Sequence, residues 1–366
     1  MRLQLALAGL VASAGVAAAD GSVSVRGVYY KERATRVIQP MLDGIFEAGA
    51  RGLVTTHLLV DSITSASTSA GAVDATGFNE KRYEGGLGYN HLLGPLKLAA
   101  EGKYSSEPDY GSLYLGARAE LELAEKNTVL GVGGGVAMDT IGTTTEGGLG
   151  ALTLECAPGE APRSECDLTT ISLFASASQI VSRRAVVGLS YDLSTQDGFT
   201  SNPYRLAIAA NMLVRERHPT ERRRHAVAAS ARYHIAETDT TLVAVYRYYR
   251  DTWKIRGHTP ELRAVQAIGD TVDASFRYRY HTQNAAFFYE ERYMEEDPDY
   301  RSDDVKLSKF RTHTLESKLG ILGETFGLDG RWGAARFEGI LSYVIQQNRF
   351  GNAIIAHFAI TVPFEY

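Results

Sequence analysis

Val272-Asp273-Ala274-Ser275-Phe276-Arg277-Tyr278-Arg279-Tyr280-His281 is the stretch on which the fold class turns. Side chains along an extended strand point alternately to opposite faces. Val272, Ala274, Phe276, Tyr278 and Tyr280 therefore share one face, and Asp273, Ser275, Arg277, Arg279 and His281 the other. A soluble sheet with one wet face gives the same alternation, so repetition carries the argument. Leu113, Leu115, Ala117, Ala119, Leu121 and Leu123 oppose Tyr114, Arg118, Glu120 and Glu122. Leu96, Leu98, Ala100 and Tyr104 oppose Lys97, Glu101 and Lys103, and Phe337, Leu341, Tyr343 and Ile345 oppose Arg336, Glu338, Ser342 and Gln346. The segments last about ten residues and lack helical periodicity, as strands tilted across a bilayer should. The chain ends on Phe358, Ile360, Val362, Phe364 and Tyr366, an apolar face closed by an aromatic residue. That ending matches the terminal-strand signal read by the barrel assembly machinery of outer membranes, with Tyr in place of the commoner Phe. The reading is an all-β chain: a transmembrane antiparallel β-barrel with long outer loops.

The start of the chain agrees. Arg2 precedes an apolar stretch from Leu3 to Val16, and Ala17-Ala18-Ala19 supplies small residues before Asp20. This is the pattern of a secretory signal peptide over residues 1–19, too short to span ~30 Å of hydrocarbon and without a cysteine to receive lipid. No later run of about 18 apolar residues suggests a helical span. With 38 Lys+Arg against 43 Asp+Glu, the formal charge is -5, which argues against a nucleic-acid partner. The 20 Tyr and 13 Phe against 2 Trp fit a membrane–water interface, where the tyrosine ring is apolar and its hydroxyl wet. The expected setting is the outer membrane of a Gram-negative bacterium, in contact with its lipid and lipopolysaccharide.

Outer-membrane barrels alternate short periplasmic turns with long outer loops. Short links fall near Leu93–Pro95, Ala124–Asn127, Val181–Arg184, Glu237–Thr240, Gly269–Thr271 and Phe326–Arg331. Long links fall near 62–78, 140–168, 197–222 and 284–308. The alternation predicts about 14 strands within residues 51–366; adding 36–46 and 204–214 makes about 16. Residues 20–50 are mixed in character and are expected to be a periplasmic extension or a segment in the lumen.

Cys156 and Cys166 enclose Ala-Pro-Gly-Glu-Ala-Pro-Arg-Ser-Glu, and in an exported chain such a pair closes a small disulfide loop. The polar faces collect Arg232, Arg247, Arg263, Arg277, Arg279 and Arg336, with Glu261, Asp273 and Glu338 among them. Facing a lumen, such a ladder either sets up a field that favours anions or pairs off and rigidifies a filled interior. His225, His234, His258, His281 and His313 come from different strands and form no compact ligand motif, so no metal site or other cofactor is assigned. The acidic stretch Glu290, Glu291, Glu295, Glu296, Asp297, Asp299, Asp303, Asp304 has no EF-hand spacing and reads as a solvated outer loop. Gly133-Gly134-Gly135 lacks the Lys-Ser/Thr of a phosphate loop and reads as close strand packing. His57, Asp61 and Ser62 are near in sequence only, and no catalytic residues are assigned.

Several stretches resemble a bacterial outer-membrane family known as domain of unknown function 3570. They are Gln179-Ile180-Val181-Ser182-Arg183-Arg184, Gly198-Phe199-Thr200-Ser201-Asn202-Pro203-Tyr204-Arg205 and Glu216-Arg217-His218-Pro219 with Arg222 and Arg224. They continue in Tyr246-Arg247-Tyr248-Tyr249-Arg250-Asp251-Thr252-Trp253-Lys254-Ile255, His258-Thr259, Gln283 to Tyr289 and Arg301-Ser302-Asp303-Asp304. Val60 to Ser67 is a weaker form of the family's early aspartate–serine stretch, with Thr64 or Ser65 where glycine is usual. The resemblance implies an outer-membrane barrel without an established activity. It also implies a genetic neighbourhood holding a small lipoprotein and a flavin-attaching enzyme, hence a redox-linked partner. Three function classes follow: a channel for small polar or anionic solutes, a non-conducting docking barrel for a lipoprotein, and, third, an enzyme.

Overall fold

The alternating segments pair edge to edge into one antiparallel sheet that closes on itself. The computed structural model describes residues 20–33, 35–65, 78–143 and 153–364. In chain order the strands are β1 (Gly21–Lys31), β2 (Thr35–Ala48), β3 (Gly52–Ser65), β4 (Phe78–Leu93), β5 (Leu96–Ser106) and β6 (Tyr110–Leu123). They continue as β7 (Thr128–Ile141), β8 (Cys166–Ser182), β9 (Ala185–Gly198), β10 (Leu206–Ala209), β11 (Met212–Arg215) and β12 (Glu221–Ile235). The last six are β13 (Thr240–Asp251), β14 (Arg256–Ile268), β15 (Val272–Gln283), β16 (Phe310–Leu322), β17 (Arg336–Gln346) and β18 (Ala353–Phe364). All except β10 and β11 form the barrel, a closed ring of 16 strands, each paired with its neighbour in sequence and with β1 sealed against β18. Closure matters because an open edge would present unpaired N–H and C=O groups to lipid.

Two expectations are corrected here. The count is 16 rather than 14, and residues 20–50 are not a periplasmic or luminal segment: they are β1 and β2, joined to the ring through β18 and β3. Segment 36–46 does lie in a strand, but 204–214 is the separate hairpin β10–β11 inside a loop. The first two strands were hard to read because their inner faces carry Val28, Tyr30, Val37 and Met41 beside Ser24, Arg26 and Asp43, which blurs the alternation. Pro40 also speaks against a strand. The ring tolerates it because the β2–β3 pairing skips Gln39 and Pro40, just as the β14–β15 pairing skips Thr259 and Pro260.

An even strand number brings both termini to one end. At that end the links are two to four residues long, as at 94–95 where Gly94 takes a positive φ of 61°, except 323–335, which holds two short helical turns. The other end carries 142–165, 199–220 and 284–309, and we call it the loop end. The outward face is apolar: Leu87, Val132, Leu173, Leu189, Leu262, Phe276, Leu341 and Phe358 are each more than half exposed. The signal-peptide stretch 1–19 and the terminal Tyr366 lie outside the described residues.

Candidate functional site: the charged lumen and its loop cap

Strand register identifies the inner face. Thr55, Gly88, Glu101, Gly116, Gly135, Ser172 and Ser194 stand opposite one another from β3 to β9, and the row continues through Arg224 to Asp251. The first seven line one concavity of about 420 Å³, and a hollow touching seven consecutive strands lies inside the ring. Glycine makes this hollow. A Cβ at Gly116 or Gly135 would fall within 3 Å of the Tyr114 ring, so the two glycines let that ring lie flat against the wall. The triple glycine is strand packing, as its sequence suggests.

Arg232, Arg247, Glu261, Arg263, Asp273, Arg277, Arg279, Arg336 and Glu338 all have the parity of this inner row. They divide into two groups. Arg277 pairs with Glu316 and lies 3.5 Å from Glu261, which Arg263 approaches at 3.2 Å. Nearer the short-turn end, Arg336 bridges Asp273 and Glu338, and Lys318 meets Glu338 at 2.5 Å. Ser342 donates to Glu316 at 2.8 Å. These groups hold β14 to β17 in register. Glu316 and Lys318 escaped sequence reading, and the sequence places Ser342 on the polar face without a partner, because these partners are set by tertiary pairing. Arg232, Arg247 and Arg279 form the second group and make no ion pair among the described residues. Arg247 stands opposite Thr259, whose hydroxyl shares a 2.8 Å hydrogen bond with His281, two residues from Arg279 on the same face. The opposite wall carries its own ion pairs: Arg26 with Asp43, Arg82 with Asp61 at 3.4 Å and Lys103 with Glu101 at 3.6 Å.

The remaining candidates separate by face. His57 lies 2.6 Å from Asp43 on the inner side, Asp61 is held by Arg82, and Ser62 has the opposite parity, so the three do not converge. His234 and His281 face inward, whereas His225, His258 and His313 face outward. Each outward histidine shares a hydrogen bond with a tyrosine: Tyr191–His225 at 2.8 Å, Tyr246–His258 at 2.6 Å and Tyr278–His313 at 2.8 Å. This belt runs from β9 to β16 near the loop end, where amphipathic rings suit a lipid–water boundary.

Above the belt the loops fold into a cap. Cys156 and Cys166 form a disulfide, which closes the 153–165 loop beside Ile141, Leu154, Leu168 and Phe199. Loop 199–220 reaches Asp109 through Tyr204, Asp304 through Arg205 and Glu155 through Arg217. Loop 284–309 is tied onward by Asp303 to Arg349 at 2.8 Å. The acidic stretch is therefore partly spent on these ties, with Asp297 serving Arg217 and Arg301. Under the cap, Arg222 stacks on Trp253 at 4.0 Å, and His218 and Phe288 each lie 5.0 Å from that ring. Glu216 is buried among His218, Ser302 and Arg205. Burial pushes its carboxyl up, but the bond and charge of His218, with Arg205 and Ser302, outweigh that and hold it below the ordinary value. Burial raises Asp303 despite Arg349.

A closed 16-stranded ring with an apolar outside, a charged inside and a loop cap defines an outer-membrane β-barrel of porin-like architecture. The profile described as protein of unknown function (DUF3570) matches residues 74–322, and the chain belongs to that family. No curated protein matches the sequence. Among solved structures the fold resembles a bacterial polysaccharide outer membrane secretin (TM-score 0.55, 9% identity, 94% of this chain and 98% of that one). It also resembles CdiB from Acinetobacter baumannii (0.54, 7%, 95% and 60%) and Pseudomonas aeruginosa OccK2 (OpdF) in complex with glucuronate (0.47, 11%, 94% and 98%). At these identities the likeness is one of fold.

Proposed function

We propose that this barrel sits in the outer membrane of a Gram-negative bacterium, loop end outward, and conducts small anionic solutes. The observation that carries the reading is the cluster of Arg247, Thr259, His281 and Arg279: two unpaired guanidiniums beside hydrogen-bonding groups on the inner wall. Every carboxylate of the nearby ladder is engaged elsewhere, so the two arginines offer a site where a carboxylate or phosphate sheds part of its water. Arg277 and Arg336, by contrast, serve the wall itself. Export runs through cleavage after Ala19 and insertion by the barrel assembly machinery. Catalysis is not part of this reading: of the three residues weighed for it, His57 and Asp61 share the inner face and Ser62 lies on the other.

Planar-bilayer recordings in a salt gradient test it. The wild type should show an anion-selective reversal potential, and Arg247→Gln/Arg279→Gln should move it toward cation preference. A second reading, a non-conducting docking barrel for a small lipoprotein, is favoured by the tied cap, which offers a rigid surface. Absence of steady current from folded wild-type protein would overturn the channel in its favour.

A further inference from the structure

On the outer side of the wall, just above the tyrosine–histidine belt, the loop end carries a cluster of exposed cations. Arg250 stands directly opposite both His225 and Arg256, so three basic side chains form one row across β12, β13 and β14. Lys254, in the β13–β14 turn, and Lys309, just before β16, join them around an open hollow of about 740 Å³ that also includes Thr282, Gln283 and Asn284. Arg250, Lys254, Arg256 and Lys309 are all exposed. Among the described residues that line the hollow the one carboxylate, Asp251, is occupied by Arg222 and Tyr249. None of the four cations makes an ion pair among the described residues; Lys254 lies over the exposed Phe287 ring at 5.4 Å. Like charges directly opposite on a sheet destabilise it, since their Cβ atoms are only about 5 Å apart. An anion held between Arg250 and Arg256 removes that repulsion.

We infer that this cluster binds the phosphate groups of a phosphorylated glycolipid in the outer leaflet. Position selects a lipid over a soluble anion. Directly below the row lie Tyr246, Tyr248 and His258 and then the apolar band, so a bound phosphate sits at headgroup height with its acyl chains against Leu262 and Phe276. Arginine forks suit phosphate oxygens, and the lysines add point charges. The inference rests on the loop end facing outward.

The test uses the full-length folded barrel in detergent micelles, with binding read by native mass spectrometry. Diphosphoryl lipid A should bind the wild type, and Arg250→Gln/Arg256→Gln should weaken that binding by about tenfold or more. Lipid A stripped of phosphate should bind both proteins equally weakly. Because removal of two facing charges relieves repulsion, the variant should fold at least as well as the wild type; if it does not, Lys254→Gln/Lys309→Gln replaces it and should weaken binding in the same sense. Equal binding of diphosphoryl lipid A by wild type and variant overturns the site, as does inorganic phosphate that displaces the lipid at equal concentration. Orientation is tested separately. Lys254→Cys should react with a membrane-impermeant maleimide on intact cells. Protection there, with phosphate-dependent binding intact in vitro, overturns the leaflet and the outward loop end but not the anion chemistry.

Discussion

Arg277 pairs with Glu316 directly across β15 and β16, and the residue before it, Phe276, points to the other side of the wall with half its surface exposed. Adjacent residues on one strand thus meet opposite solvents. Phe276→Arg should place a charge in hydrocarbon, a cost of ~2–4 kcal/mol at the midplane and less toward the interface. Arg277→Ser leaves Glu316 bonded to Ser342 and Glu261 to Arg263, so it should fold. Heat-modifiable mobility after folding into lipid vesicles should drop sharply for the first variant and stay near wild type for the second. Equal yields would remove the face assignment.

The seam offers a second test. Gly21 faces Phe364 at the end of the β1–β18 ladder, and a Cβ there would lie 2.8 Å from the Phe364 ring and closer still to the Ile45 carbonyl. Gly21→Val should therefore loosen the seam by about 1–3 kcal/mol. Deleting Gly21 to Lys31 should do far more, because β2 and β18 are then left with open edges. A 14-strand barrel would ignore both changes. Normal outer-membrane levels of the deletion protein would contradict a ring sealed by β1.

Acid should release the cap. Glu216 is held below its ordinary pKa of 4.5 in the folded state, so its contribution is fully present above that value and is lost as pH falls through the lower folded value. Asp303, raised by burial, acts in the opposite sense. Asp297, lowered by its bond to Arg301 and the charge of Arg217, acts in the same sense as Glu216 but is exposed, so Glu216 is the buried acid-labile tie. Trp253 reports on it, since His218 lies between the two. In a Trp332→Phe background, Trp253 emission should shift red below about pH 4.5. Glu216→Gln should be red-shifted already at neutral pH and respond little to acid. A pH-independent wild-type spectrum over that range would show that Glu216 does not hold the cap.

What was legible in the sequence followed from period two. In Val272–His281 a greasy face and a polar face alternate without exception, so the strand, its two faces and its inner arginines could be read without coordinates. Most of the short turns were readable for a related reason: they interrupt that alternation with Gly, Pro, Asn or Asp, Arg183-Arg184 being the exception. β1 and β2 were not readable, because their inner face carries Val28, Val37 and Met41 among its polar residues, and the pattern then carries little contrast. The disulfide needed only the compartment and the spacing.

Tertiary structure alone decided which charges are free. Arg277 and Arg279 look alike in sequence, two residues apart on one face. Arg277 meets Glu316 and Glu261, while Arg279 makes no ion pair among the described residues. The difference lies in the side chains that β14 and β16 bring alongside, and a hydrogen-bonded ion pair is lost once its atoms move a few ångströms apart. The same holds on the outside, where Arg250 and Arg256 become neighbours only when β13 folds back on β14. Alternation along one strand determines which face a side chain takes; only the pairing of strands determines what stands beside it.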